Sequence, residues 1–107
     1  MYKHGYGVPQ DYSKAMDWYW KAAGQDDDAA FANLSLIYEK GLGVSRNPVI
    51  SYALMKCASS INPDSEVYKD AIDKVAQEMD SGKAVDGDRL SHEICRSKSV
   101  AVDNYLK

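Results

Sequence analysis

Tyr38-Glu39-Lys40-Gly41-Leu42-Gly43-Val44 decides the fold, because the chain has already used the same pattern as Tyr2-Lys3-His4-Gly5-Tyr6-Gly7-Val8. Tyr, both glycines and Val return after roughly 36 residues, inside the 20–50 range that marks arrays of stacked supersecondary units. Each unit of such an array buries its apolar face only against its neighbours. Three units of this length would fill nearly all of the 107 residues. The glycines suit a tight helix-to-helix turn, where a left-handed cap is reached without a Cβ clash.

Working outward, Asp11 is placed to cap a helix over Tyr12 to Ala23, in which Ala15, Trp18, Tyr19, Ala22 and Ala23 form an amphipathic stripe with Met16 and Trp20 at its flank. Asp26-Asp27-Asp28 opens the next helix, Ala29 to Lys40, where acids suit the positive end of the helix dipole. A calcium loop would need alternating ligands, a turn glycine and a later bidentate Glu, which this run lacks. Asn47-Pro48 starts a third helix running to about Ser59, and Asn62-Pro63 repeats the signal for a fourth running to about Met79, with Val67, Ala71, Val75 and Met79 spaced by four. The glycines of the segment 80–87 then predict a turn, and a last helix from about Asp88 to Tyr105, with Leu90, Ile94 and Cys95 apolar, is expected to close the stack. Arg96, Lys98 and Asp103 suit its solvent side. Met1-Tyr2 reads as the last turn of a helix, so the sequence is expected to start half a repeat late.

The chemistry implied is sparse. Thirteen basic against sixteen acidic residues give a net charge of −3, which offers no drive towards nucleic acid or anionic lipid. No run of 18 apolar residues predicts a membrane span, and no basic-then-apolar start predicts a secretion signal. The expected compartment is therefore cytoplasmic, or periplasmic or secreted if a signal lies upstream. Cys57 and Cys95 have no CxxC partner and are read as reduced structural thiols. His4 and His92 lie in different repeats with no ligand or carboxylate at useful spacing, and neither Gly-x-Gly has the third glycine of a dinucleotide fingerprint. Asn33-Leu34-Ser35 is a formal glycosylation sequon, discounted because Leu34 lies in the core stripe. No catalytic residue, cofactor or metal is expected.

Val8-Pro9-Gln10-Asp11-Tyr12-Ser13-Lys14-Ala15-Met16-Asp17-Trp18-Tyr19-Trp20-Lys21-Ala22-Ala23, preceded by Tyr2, Gly5 and Gly7, resembles the Sel-one-like repeat, a relative of the tetratricopeptide repeat. The second unit matches through Ala30, Leu34, Tyr38, Gly41, Gly43 and Val44, then departs at Ser51, Leu54 and Cys57-Ala58-Ser59. The resemblance implies an all-α, right-handed α/α solenoid of about three helix pairs in one domain: a partial repeat over 1–24, a full one over 25–60 and degenerate capping helices over 61–107. It implies a bacterial adaptor holding a protein partner on its concave face, with a toxin-neutralising immunity protein as the sharper form. The alternatives are a hydrolase of cell-wall or β-lactam compounds and the C-terminal fragment of a longer repeat protein. A cysteine-rich branch of the family carries paired cysteines that this chain lacks, so its activity does not transfer.

In such arrays the first helix of each pair lines the groove. On Ala29 to Lys40, Leu36 falls opposite the core face with Asn33 and Lys40, so Asn33, Leu36 and Lys40 are the expected partner contacts, with Trp20 at the rim. The repeat half missing before Met1 also implies an uncovered apolar patch at Trp18 and Tyr19, and a homodimer through the helix Tyr12 to Ala23.

Overall fold

The computed structural model describes residues 12–106, which form six helices and no strand. The readings made for Tyr2 to Asp11, His4 and the first turn among them, lie outside the described residues. Helices α1 (Tyr12–Ala23), α2 (Asp28–Lys40) and α3 (Pro48–Ile61) fall within two residues of their sequence-derived bounds. Their punctuation is local. Asp27 accepts from the Ala29 amide at 3.0 Å and Asn47 accepts from the Ile50 amide at 3.2 Å, satisfying amides that no helical carbonyl can reach. Gly41, at φ 71°, closes α2 by donating its amide to the Ile37 carbonyl at 2.9 Å.

Four expectations are corrected here. Asn62-Pro63 does not start a helix: Asn62 ends α3, donating to the Ala58 carbonyl at 2.9 Å, and α4 (Glu66–Glu78) is capped by Ser65, which accepts from the Tyr68 amide at 3.3 Å. The segment 80–87 is not a turn, because Asp80 caps α5 (Ser81–Ser97) and both glycines are helical. Gly87 is there for packing: a Cβ would lie 2.4 Å from Cδ2 of the buried Tyr52 ring on α3. The single closing helix is two, since Lys98 at φ 57° breaks the chain between α5 and α6 (Ser99–Leu106). The stripe of α1 is rotated. Trp18 is 72% exposed, while Met16, Tyr19, Trp20 and Ala23 face the core at i, i+3, i+4 and i+7.

The core runs through Phe31 and Leu34 of α2, Ile50 and Leu54 of α3, Ile94 of α5 and Val102 of α6, each fully buried and worth about 1.5–3 kcal/mol relative to exposure. Ser35 and Ser51 bring two hydroxyls into the α2–α3 seam and satisfy them there, Ser35 Oγ lying 2.8 Å from the Ser51 carbonyl and 2.9 Å from Ser51 Oγ. Polar contacts between successive units keep close to the sequence period. Tyr52 reaches Asp88 at a separation of 36 residues, Arg46 reaches Glu78 at 32, and Tyr68 and Asn62 reach Asp28 at 40 and 34. Neighbour-on-neighbour stacking has this signature. The end of the chain departs from it. Lys98 lies 3.5 Å from Asp26, two periods upstream, and the buried Ala101 and Val102 fold α6 back over the earlier helices.

The cysteines overturn the reduced-thiol reading. Cys57 of α3 and Cys95 of α5 form a disulfide with a Cα–Cα distance of 5.6 Å and a sequence separation of 38 residues. Consecutive outer helices bring residues about one period apart side by side, so two cysteines at nearly the repeat spacing meet without any CxxC motif.

Candidate interaction surface

On α2, the buried residues Ala30, Phe31, Leu34, Ser35, Ile37 and Tyr38 occupy one arc, and the helical step of about 100° per residue puts Leu36 on the other side. Leu36 is 41% exposed on a helix whose other large apolar side chains are buried. Lys40 is exposed and Asn33 half-buried, and at i, i+3 and i+7 the three residues share a face. The sequon is closed to modification in the folded chain, since Leu34 and Ser35 beside Asn33 are buried in the α2–α3 seam.

Trp20 does not join them. Its ring stands edge-on to Phe31, centroids 6.5 Å apart and planes at 89°, a favourable arrangement of the two quadrupoles. Phe31 lies roughly 140° around α2 from Leu36, so the structure brings Asn33, Leu36 and Lys40 together and sets Trp20 apart. Trp20 instead lines a cleft of about 560 Å³ together with Met16, Lys21, Tyr38, Val102 and Asp103. Burial raises the Tyr38 phenol above its ordinary range, and the Asp103 carboxylate adds to the effect.

The surface is held by its neighbours in the stack. Tyr68 of α4 donates its hydroxyl to Asp28 Oδ2 at 2.7 Å, tying α4 to the start of α2. That bond, then the one from Asn62 at 3.3 Å, lowers the Asp28 carboxyl below its usual range. Burial first, then Asp28, pushes Tyr68 up to about 12. At the other end of the pair, Arg46 donates to the Glu39 carbonyl at 2.7 Å and to Glu78 at 2.6 Å, fixing the loop after α2 against the end of α4. Lys56 of α3 bonds Asp88 of α5, which lowers the acid and raises the amine, and the Tyr52 hydroxyl donates to the same carboxylate at 3.3 Å. The three acids of 26–28 thus go separate ways: Asp26 pairs with Lys98, Asp27 caps α2 and Asp28 accepts from Tyr68. Among the described residues no group of His, Cys, Asp and Glu is arranged to hold a metal ion, and no helix is long and apolar enough to cross a membrane.

The family model of the Sel1 repeat matches residues 1–27 and again 29–62, more than half of the chain. The chain belongs to the Sel1 repeat family. Curated relatives named protein sel-1 homolog 2, from Mus musculus and Homo sapiens, are each 34% identical over 65 residues, covering 60% of this chain and 9% of theirs. The chain thus spans about a tenth of the length of the curated relatives it matches. No solved structure matches it. Sel1 repeats serve in general as protein–protein interaction modules rather than as catalysts. The matched part ends at Ile61-Asn62, so α4 to α6 stack on Sel1 repeats without carrying the Sel1 motif themselves.

Sequence reasoning missed two features of this surface, the disulfide and the α1–α6 cleft. The first had a signal in the near-equality of cysteine spacing and repeat period. The second had none, because it depends on α6 folding back.

Proposed function

We propose that this chain is a non-enzymatic adaptor that binds a protein partner through the α2 face formed by Asn33, Leu36 and Lys40. The observation that carries the reading is Leu36, 41% exposed on a helix that hides its other large apolar residues. Interfaces gain most from an apolar anchor with polar groups around it, and Asn33 and Lys40 supply that rim. Trp20 contributes from a second site, the cleft beside α6. The disulfide favours residence in an oxidising compartment such as a periplasm or the cell exterior.

The test is affinity capture from a lysate of the native host, with wild-type chain and the double variant Leu36→Glu/Lys40→Glu as baits and quantitative mass spectrometry as readout. Both residues are exposed, so the double variant is expected to keep its helicity and to lose no more than about 0.5 kcal/mol of stability. Proteins enriched by the wild type should be lost from the variant. An unchanged set of captured proteins would exclude the α2 face. Self-association through α1 is tested separately by sedimentation at micromolar concentration, where a clean monomer removes the homodimer.

A further inference from the structure

The two ends of the disulfide differ. Cys57 is fully buried in the core, whereas Cys95 is exposed on the outer side of α5. Beside them opens a cleft of about 370 Å³, lined by both cysteines with Ser60, Ile61, Phe31 and Lys98. A thiolate must approach a disulfide sulfur from outside, and of the two residues Cys95 is the exposed one. We propose that the bridge is a thiol-exchange site, at which a low-molecular-weight thiol adds to Cys95 and frees α5 and α6 from α3.

The step balances without a further reagent. The incoming thiolate forms a bond to Cys95 Sγ, and the Cys57–Cys95 bond breaks with its electron pair leaving on Cys57. That sulfur takes a proton from solvent, and its acceptor is already in place, since the Ser91 carbonyl lies 3.2 Å from Cys57 Sγ. The bridge is reduced and the thiol is oxidised to a mixed disulfide. Return of the Cys57 thiolate onto the mixed disulfide expels the thiol and restores the bridge. Lys98 on the same cleft is paired with Asp26 and donates to the Cys95 carbonyl at 2.6 Å, which places it directly beside the attacked residue.

The cleft also explains why the adduct would act on the fold. Lys98 Nζ stands 5.6 Å from the centre of the Phe31 ring and 3.5 Å from Asp26, the contacts by which the α5–α6 junction reaches back to the α1–α2 end. A group attached to Cys95 competes with Lys98 for that space. Loss of the bridge and of the Lys98 contacts removes the covalent and polar tethers at the C-terminal end of α5, leaving the burial of Ile94 there and the Tyr52, Lys56 and Asp88 contacts at its N-terminal half.

Folded wild-type chain is incubated with reduced glutathione, quenched with acid and mapped by mass spectrometry, and the adduct is then followed by hydrogen exchange. The expected product carries one glutathionyl group on Cys95 and a free thiol at Cys57. Exchange should rise at least about tenfold in α6 and the end of α5 while α2 and α3 are unchanged. Glutathione on Cys57, reduction no faster than global unfolding, or an adduct with unaltered exchange would each overturn the proposal. Single-cysteine chains supply the independent arm. Offered glutathione disulfide, Cys57→Ser should be labelled at Cys95 and Cys95→Ser should resist labelling at the buried Cys57. Equal labelling of the two would also overturn it.

Discussion

Gly43 gives the sharpest test of the packing. It lies at φ 77°, and a Cβ built there would stand 2.8 Å from Cβ of Tyr12 and 3.2 Å from its Cδ2. Gly41, in the same turn at φ 71°, would meet nothing closer than 3.3 Å. Forcing an alanine into the left-handed region costs about 1–2 kcal/mol at either site. At Gly43 an overpacking penalty of about 1–3 kcal/mol is added, because Tyr12 Cβ belongs to the first turn of α1 and cannot swing away as a side-chain tip would. Gly43→Ala should therefore lose about 3 kcal/mol and Gly41→Ala about 1.5 kcal/mol, read as shifts of the urea midpoint at constant m-value. Tyr12→Ala leaves its own Cβ in place but removes Cγ and Cδ2, the next two atoms in the way. In a double-mutant cycle it should return about 1 kcal/mol of the Gly43→Ala loss. Equal losses at the two glycines, together with additivity between Tyr12→Ala and Gly43→Ala, would refute the close approach of α1 to this turn.

Three further outcomes are expected. Gly87→Ala gains about 1 kcal/mol of helix propensity but drives a methyl into the Tyr52 ring, and should lose about 1–2 kcal/mol net in urea denaturation, whereas Gly82→Ala, which meets only Asp80 Oδ1 at 3.5 Å, should be neutral or stabilising. Reducing the disulfide releases a 38-residue loop in the unfolded chain and should cost about 4 kcal/mol on the loop-entropy relation, measured as the difference in urea midpoint with and without reductant; a cost under about 1 kcal/mol would contradict the bridge. Tyr68, held protonated up to about 12 against an ordinary 10.0, stabilises the fold fully below pH 10, and that contribution is lost as pH rises from 10 to 12. Asp28 has the opposite sign, its contribution being lost as pH falls below its ordinary 3.8. Denaturation midpoints of Tyr68→Phe should show a shallower decline than wild type across pH 10–12.

The first three helices were legible because their signals are local. Asp27, Asn47 and Gly41 act on amides and carbonyls within four residues of themselves, so identity and position suffice. The face carrying Leu36 was legible for the same reason, since helical periodicity needs no knowledge of the neighbour. The failures are tertiary. Gly87 has the sequence appearance of a turn, but its lack of a side chain answers to Tyr52, 35 positions away. On α1 the expected stripe of Ala15, Trp18, Tyr19, Ala22 and Ala23 keeps Tyr19, Ala22 and Ala23 at the core, but the Phe31 ring draws in Trp20 and leaves Trp18 outside. Asn62-Pro63 has the form of a helix start, yet the Asn62 side chain bonds Asp28 and its amide closes α3.

The period and the motif turn out to be separate properties. The Sel1 motif stops near Asn62, yet Tyr52–Asp88, Cys57–Cys95 and Arg46–Glu78 tie the last matched unit to helices beyond the motif at separations of 36, 38 and 32 residues. What the glycine motif specifies is the turn within a unit. What sets one unit on the next is the recurrence of contacts at about one repeat, and polar pairs and a disulfide supply it where the Sel1 pattern is gone. A stack built this way would present another open end to solvent. At Lys98 the chain departs from the period: its positive-φ backbone turns α6 back, and Ala101 and Val102 enter the existing core. Three residues before that turn Cys95 is the exposed end of the bridge, and Cys57 is its buried end.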